Sequence, residues 1–225
     1  MGFDEWLDAE ALLEQGAQHR WRKGDVSTLE VVEVCRLDLA TGRVVAVDPA
    51  YFDSFGEARP VVAEVPPGTY PVLLSVVAWA STHESRGRRR AVTAATLKIS
   101  DNPIARWGWI DERSDGKVLG VGVDAGTACF YDASKRESLA LLGGDEDRVD
   151  AAIREASDAG FAAIADASGG TAAVFISCGM GDGFYPIRIG RDTTDAVAMV
   201  MVMVMVDLEL LNHSTGRVGP PGRND

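Results

Sequence analysis

Apolar and polar residues alternate along much of this chain, a pattern typical of β-strands that bury one face. In the first such stretch, residues 28–39, one face is predicted to collect five side chains: Leu29, Val31, Cys35, Leu37 and Leu39. Glu33 interrupts the alternation. A turn signal at Thr41 and Gly42 precedes a second stretch at residues 43–47. The two stretches are therefore predicted to form a hairpin.

Later segments extend the β pattern. Residues 61–65 and 69–79 are predicted strands, joined by a Pro-Pro-Gly turn because proline lacks the amide hydrogen that a strand ladder needs. Residues 91–99 predict a half-buried strand, in which alternate side chains are assigned inward (Ala95, Leu97, Ile99) and outward (Thr96, Lys98). Further strands are predicted at residues 117–124, 127–131, 172–178 and 184–189.

Residues 197–208 differ from these strands because they are apolar at both alternating sets of positions, with five valines and four methionines. Such a strand is typical of the centre of a sheet that is covered on both faces. Two segments have helical spacing instead. Residues 145–160 have acidic residues in the first turn and Gly160 at the end, and residues 4–15 place several apolar side chains on one side.

The predicted fold class is α+β, predominantly antiparallel β, as a two-sheet sandwich or an open barrel with two or three short helices. No internal repeat and no long linker divides the chain. Residues 1–212 are therefore predicted to form a single β-rich domain with an N-terminal helix. Residues 213–225 are small, polar or glycine and proline, and are predicted to be a disordered tail.

Composition narrows the choice of partner. The chain has 225 residues, with 22 Lys and Arg against 34 Asp and Glu, which gives a formal net charge of −12. Phosphate backbones and anionic membranes repel such a chain, so neither nucleic acid nor membrane is an expected partner. The longest apolar run, residues 196–206, is half as long as a membrane-spanning helix. A small polar molecule or a basic protein is the expected partner, and the oligomeric state stays open.

The three cysteines, Cys35, Cys129 and Cys178, are far apart and each lies in an apolar stretch. This spacing predicts reduced thiols, at least two of them buried, rather than a disulfide framework or a zinc site. With an acidic N-terminal stretch that does not resemble a signal peptide, the expected location is the cytoplasm.

Familiar catalytic and cofactor motifs are missing from the sequence. No phosphate-binding loop, dinucleotide fingerprint or nucleophile elbow is present, and the histidines are isolated, so no cofactor and no metal site is predicted. His83 lies in a polar segment, residues 82–90, with four arginines (Arg86, Arg88, Arg89, Arg90). This segment is either a solvated loop or a site in which His83 acts as a base and the arginines bind a phosphate or carboxylate.

Three aspartates stand where the chain must turn sharply. Asp48 precedes a proline, whereas Asp124 and Asp182 are flanked by glycines. An aspartate in such a turn most often accepts hydrogen bonds from nearby backbone amides. Alternatively, the three form a shared site, because loops held on a rigid scaffold are common places for binding residues. The candidate ligand-binding residues are Asp48, Asp124, Asp182, Thr127, Tyr185 and Trp107, with Trp109 as an alternative apolar wall.

These segments also carry a resemblance. The order Asp-Pro at residues 48–49, Val-Asp-Ala-Gly-Thr at 123–127 and Gly-Asp-Gly-Phe-Tyr-Pro at 181–186 resembles the bacterial domain-of-unknown-function family 4241 over roughly residues 28–210. The resemblance implies one compact, mostly β domain and brings no activity with it. The chain departs from the family pattern at Met180, where a tryptophan is common, and in the stretch 188–191, which is commonly aromatic.

Two functions remain open on the sequence. The first is a binding module for a small polar or cationic ligand, or for a basic protein, through the aspartate and glycine loops. The second is an enzyme in which clustered aspartates perform acid–base chemistry or hold a divalent metal ion. If the three aspartates converge in a concave pocket, the enzyme is favoured.

Overall fold

The computed structural model describes residues 9–20, 26–52, 61–80, 88–109, 120–143, 145–178 and 181–204. The strands in these ranges are β1 Gln18–Arg20, β2 Val26–Leu39, β3 Arg43–Val47, β4 Val61–Glu64, β5 Gly68–Ala80, β6 Arg88–Lys98, β7 Arg106–Trp109, β8 Gly120–Val123, β9 Thr127–Asp132, β10 Phe161–Ala165, β11 Thr171–Ser177, β12 Gly183–Arg191 and β13 Val197–Val202. The helices are α1 Arg136–Gly143 and α2 Glu146–Ala159, with 3-10 turns at Ala11–Leu13, Pro49–Tyr51 and Ala133–Lys135.

The strands form two antiparallel sheets. The larger sheet has the order β1-β2-β5-β6-β13-β12-β7, and β8 also pairs with β12. The smaller sheet has the order β10-β11-β9-β3-β4. The predicted α+β class is therefore confirmed, in the form of the sandwich.

The inner faces of the two sheets bury the main core. It combines side chains of the larger sheet with side chains of the smaller one: Leu37, Val72, Leu74, Leu97, Ile187, Val200 and Val202 with Val44, Ala46, Ala128, Phe130, Val174 and Ile176. The helices α1 and α2 cover the other face of the smaller sheet, with Leu139 and Ala152 among the buried contacts. The outer face of the larger sheet is partly covered by Ala9 and Leu12.

The prediction of a central strand at residues 197–208 is confirmed for its described part. β13 lies between β6 and β12. Val200 and Val202 point into the main core, whereas Met201 and Met203 pack on the outer face with Leu12. Residues 205–208 lie outside the described residues.

The helix predicted at residues 145–160 is also confirmed. The Asp145 side chain accepts a hydrogen bond from the Arg148 amide and caps the first turn of α2. The helix ends at Gly160, whose φ of +94° is the left-handed conformation that favours glycine. The helix predicted at residues 4–15 differs, since its described part holds one 3-10 turn, Ala11–Leu13, followed by an extended Glu14.

The predicted hairpin at Thr41 and Gly42 is wrong. β2 pairs with β5 in the larger sheet, whereas β3 pairs with β4 in the smaller one. β2 continues into β3, and β4 continues into β5. The two paired stretches therefore form one long ribbon that bends from the larger sheet to the smaller one. Gly42 and Val65 meet at the bend, where the Val65 amide donates to the Gly42 carbonyl at 2.8 Å. A side chain at Gly42 would collide with the Val65 carbonyl, so the tight packing of two backbones explains the glycine.

The single buried face predicted for residues 28–39 is also wrong. A β-bulge shifts the register between Glu33 and Cys35. Leu29 packs with Val77 on the outer face, whereas Leu37 lies in the main core, because an extra residue in a strand exchanges its two faces. The interruption at Glu33 is the sequence signal of this bulge.

The strand at residues 91–99 is confirmed, but of the two side chains predicted to point outward only Lys98 is partly exposed. Thr96 is fully buried, as is the neighbouring Ala94, which packs against Ala9 and Leu12. The Ser75 hydroxyl donates to the Leu12 carbonyl and fixes that segment to the sheet. Strands β1, β7 and β10 and helix α1 had no recognised signal in the sequence.

Candidate functional site

The predicted site segments meet at one end of the sandwich. β8 pairs with the first half of β12, and the last pair at this end is Val123 with Gly183. Asp124 and Asp182 are the next residues of each strand, so they leave the pair side by side on strands about 5 Å apart. Both side chains are exposed. We call residues 124–126 and 181–184 the rim.

Backbone contacts hold the two turns of the rim together. The Cys178 amide donates to the Gly126 carbonyl at 2.8 Å, which joins the end of β11 to the turn after β8. Gly126 and Gly181 have φ values of +63° and +84°. A Cβ on Gly126 would lie 3.7 Å from the Gly181 Cα, so the two turns are in close contact. Glycine is favoured at both positions because of these φ values.

The Asp48 carboxylate contacts the backbone of the rim from inside the protein. It is 2% exposed. Its carboxylate accepts hydrogen bonds from three backbone amides: Ala50 at 2.8 Å, Asp124 at 2.6 Å and Ala125 at 2.9 Å. Asp48 thus caps the 3-10 turn Pro49–Tyr51 and anchors the turn after β8. This is the backbone-binding role that aspartates have in turns.

Two aromatic residues at the rim were not singled out from the sequence. The Tyr51 hydroxyl donates to the Asp124 carboxylate. Phe184 is 56% exposed, beside Asp182. The alternation that places Tyr185 inward was a usable signal for Phe184, because neighbouring side chains of a strand point to opposite faces.

Tyr185 and Thr127 are buried parts of the scaffold. Tyr185 packs in the main core, and its hydroxyl donates to the Gly181 carbonyl at 2.7 Å. Burial raises the pKa of Tyr185 to about 12, and repulsion from Cys178, once that thiol ionises at high pH, and from the Asp182 carboxylate adds to the effect. Thr127 is 1% exposed and begins β9. Both residues shape the rim from beneath and offer little surface to a ligand.

The predicted tryptophan walls lie elsewhere. Trp107 pairs with Gly190 near the far end of β12, eight residues beyond Asp182 and roughly 26 Å along the strand. Trp109 lies beneath the Arg188 guanidinium, 4.3 Å from the ring centroid. The structure does not bring either ring to the rim.

The arginine-rich segment was predicted as a loop, and its last three residues instead begin strand β6 at Arg88. His83 and Arg86 lie outside the described residues, as does Met180.

The cysteine prediction is confirmed. Cys129 and Cys178 are buried, Cys35 is half-buried, and all three thiols are free. Cys178 lies directly under the rim. Burial raises the pKa of Cys178 to about 12. A hydrogen bond with the Ala128 backbone lowers this pKa, and the negative charge of Asp48 raises it further. A raised pKa and burial favour the protonated thiol at neutral pH, which is the less reactive form.

The aspartates of two other turns have basic partners. Asp166 pairs with Lys135 at 2.6 Å, and Asp195 pairs with Arg106 at 2.6 Å. Asp124 and Asp182 have no lysine or arginine partner among the residues that the structure describes. Across that same part of the chain, no group of three His, Cys, Asp or Glu residues is arranged to hold a metal ion, and no helix is long and apolar enough to cross a membrane.

Comparison with known proteins gives one match. The family model described as "Protein of unknown function (DUF4241)" matches residues 37–202. No curated protein and no solved structure matches the chain.

Proposed function

The chain belongs to the DUF4241 family, whose description names no activity, and from this premise we propose that the protein is a binding module whose rim takes up a cationic group. The cation belongs to a small polar ligand or to the surface of a basic protein. The observation that carries the proposal is the pair of exposed carboxylates, Asp124 and Asp182, at the end of one strand pair.

The charge and the aromatic surface at the rim support a cation. Two neighbouring carboxylates without a basic partner in the described chain produce a local negative potential, and the net charge of −12 reinforces it at longer range. Phe184 places an exposed aromatic ring beside them. An aromatic face attracts ammonium and guanidinium groups, so carboxylates and ring favour the same ligand chemistry.

The fixed backbone of the rim supports binding as well. Asp48 holds the turn of Asp124, and the Tyr185 hydroxyl holds Gly181 next to Asp182. Because these contacts fix the backbone at Asp124 and Gly181, little conformational entropy is lost there when a ligand binds.

The enzymatic alternative is weaker because Asp48 is committed to the fold. Its carboxylate is buried and accepts three backbone amides, so it does not face a substrate. Two carboxylates on an exposed edge suit recognition of a cation better than proton transfer in a closed pocket. We also propose a cytoplasmic location, which the free, buried cysteines support because thiols stay reduced there.

The experiment compares two probes, arginine amide and a peptide rich in lysine and arginine, by calorimetric titration at low and high salt. In the variant that combines Asp124→Asn and Asp182→Asn, we expect the affinity for the bound probe to fall about tenfold or more, with a weaker dependence on salt. Each rim substitution is also made alone. Asp158→Asn, on the exposed side of α2, removes one negative charge as each of these does, and is expected to leave binding unchanged.

The outcomes separate the two ligand sizes. Binding of arginine amide indicates a small-molecule site, whereas binding of the peptide alone indicates a protein partner. Phe184→Leu keeps an apolar side chain but removes the ring, so a further loss of affinity supports its contact with the cation. If neither probe binds, or if the Asp158→Asn control weakens binding as much as the rim variants, the proposal is wrong.

A further inference from the structure

The end of the sandwich opposite the rim holds a groove with a volume of about 550 Å³. It lies between the β4–β5 connection, the residues that follow β6, and the β12–β13 turn. β12 runs for nine residues from the rim to Arg191 in this groove, which is roughly 30 Å. A volume of this size is within the range of small-molecule sites, and the distance makes it independent of the rim.

The floor of the groove is the open end of the main core. Val65, Ile99 and Val197 line it and are also packed against that core. Tyr70 adds its ring, while its hydroxyl donates to the Pro66 carbonyl at 2.6 Å. An apolar group in the groove would therefore extend the core and remove these side chains from water.

Arg191 stands at the mouth of this apolar floor. Ile187 and Ile189 point into the core. Arg191, two residues after Ile189, is the last residue of β12 and lies on the same face of the strand. It is half-buried, and one of its terminal nitrogens, Nη1, donates to the Asp195 carbonyl at 2.9 Å. Among the described residues, no carboxylate lies within ion-pair distance of its guanidinium.

The nearby carboxylates are occupied by other partners. Asp195 pairs with Arg106. Asp192 is buried and accepts hydrogen bonds from Asn102, Thr194 and the Ala196 amide. These partners hold both aspartates in the turn, so the guanidinium donors of Arg191 that do not bond the Asp195 carbonyl are available to an anion from solution.

We propose that this groove binds a small carboxylic acid with an apolar body. Arg191 takes the carboxylate, since a guanidinium presents paired N–H donors that match two carboxylate oxygens. The floor of Val65, Ile99 and Val197 takes the apolar body. Glu64 lines the same groove and is only loosely paired, 3.9 Å from Arg43, so it is placed to accept an ammonium group when the acid is an α-amino acid.

The first experiment follows the methyl groups of the full chain by NMR during titration with 4-methylpentanoate, leucine and isoamylamine, which share a branched body. We expect 4-methylpentanoate, leucine or both to change the chemical shifts of the Ile99 and Val197 methyl groups. The methyl signals of Val121, near the rim, should stay unchanged. Tighter binding of leucine assigns the ammonium to Glu64, and tighter binding of 4-methylpentanoate indicates a simple acid. A response to the amine alone, or to none of the three, overturns the proposal.

The second experiment removes the groups that recognise the ligand. Arg191→Met should weaken carboxylate binding about tenfold or more, whereas Arg154→Met on the exposed face of α2 should have no effect. Ala196→Phe fills the groove from an exposed position and should abolish binding in a folded protein. Binding that survives Ala196→Phe overturns the proposal even if the Arg191 variant does not fold.

Discussion

Aspartates occupy turns both at the bend between the sheets and at the rim, but the two regions use them differently. At the bend, Asp132 is fully buried and accepts hydrogen bonds from the Thr41 amide at 3.0 Å and the Ser134 amide at 2.9 Å. At the rim, Asp124 and Asp182 are exposed. The same residue type is therefore buried in backbone hydrogen bonds in one region and exposed in the other, where Asp124 accepts a hydrogen bond from the Tyr51 hydroxyl.

The residue two positions further along distinguishes the two groups. In three turns the aspartate accepts from both the amide and the hydroxyl of that residue: Asp132 with Ser134, Asp166 with Ser168 and Asp192 with Thr194. The corresponding residue is Gly126 after Asp124 and Phe184 after Asp182, and neither has a hydroxyl. In these three turns the serine or threonine hydroxyl adds to the bond from the amide, whereas Asp48 has a structural role with Ala50 at the same spacing.

Both regions depend on one core, and Val202→Asp is its severest test. Val202 is 1% exposed in the central strand β13, so an unpaired charge there should cost about 5 kcal/mol or more and unfold the domain. Circular dichroism during thermal denaturation measures the effect. Val32→Asp, at a strand position that is 38% exposed, is the control and should remain folded. A folded Val202→Asp variant would contradict the central placement of the strand.

The comparison is measured directly by alanine substitution in the two regions. Asp132→Ala leaves the Thr41 and Ser134 donors without their acceptor and should lower the free energy of unfolding by about 3 kcal/mol. Asp182→Ala should change it by about 0.5 kcal/mol or less, since its side chain is exposed, and Asp124→Ala should lower it by about 1 kcal/mol, since that variant also loses the hydrogen bond from the Tyr51 hydroxyl. Urea denaturation gives all three values. Equal losses at the bend and the rim would mean that the rim aspartates are structural too.

Acid should weaken the structural aspartates. Hydrogen bonds from Thr194, then Asn102, lower the pKa of Asp192 to about 2. Burial raises the pKa of Asp132, but hydrogen bonds from Ser134 and Thr41 outweigh it and lower the pKa overall. A carboxyl whose pKa is lower in the folded state binds fewer protons there, so its contribution is complete above about pH 4 and is lost as the pH falls toward about 2.

Urea denaturation across this pH range tests the effect on stability. The stability of the wild type should fall steeply on acidification, and that of Asp192→Asn should fall less steeply from a lower starting value. An unchanged slope in Asp192→Asn would show that Asp192 does not titrate in this range.

Cys178 reports smaller motions of the rim. Its thiol is buried and its pKa is raised, so labelling at neutral pH requires the rim to open. Asp48→Asn weakens the anchor of the turn after β8 and should accelerate labelling of Cys178 roughly fivefold, the equivalent of about 1 kcal/mol. Mass spectrometry of labelled peptides gives both rates. An equal acceleration at Cys129 would indicate opening of the whole domain instead of the rim.

The sequence by itself determined the elements whose signals are local. α2 follows from the acidic residues of its first turn, its apolar spacing and Gly160, all within one segment. β13 follows from apolar residues at both sets of positions, which only a covered central strand can bury. The glycines around Asp124 and Asp182 also marked the rim turns correctly, because a positive φ is a property of one residue and its neighbours.

Only the tertiary structure decided which elements pair and what the site residues do. The turn signal at Thr41 and Gly42 is real, but the chain crosses there to the other sheet, and Asp132, 91 residues from Thr41, holds the crossing. In the sequence, Asp48 resembles Asp124 and Asp182. Only the structure shows that its carboxylate accepts hydrogen bonds from the amides of residues 124 and 125. Strand pairing and burial arise from contacts between segments far apart in sequence, and a local pattern specifies a strand without specifying its partner.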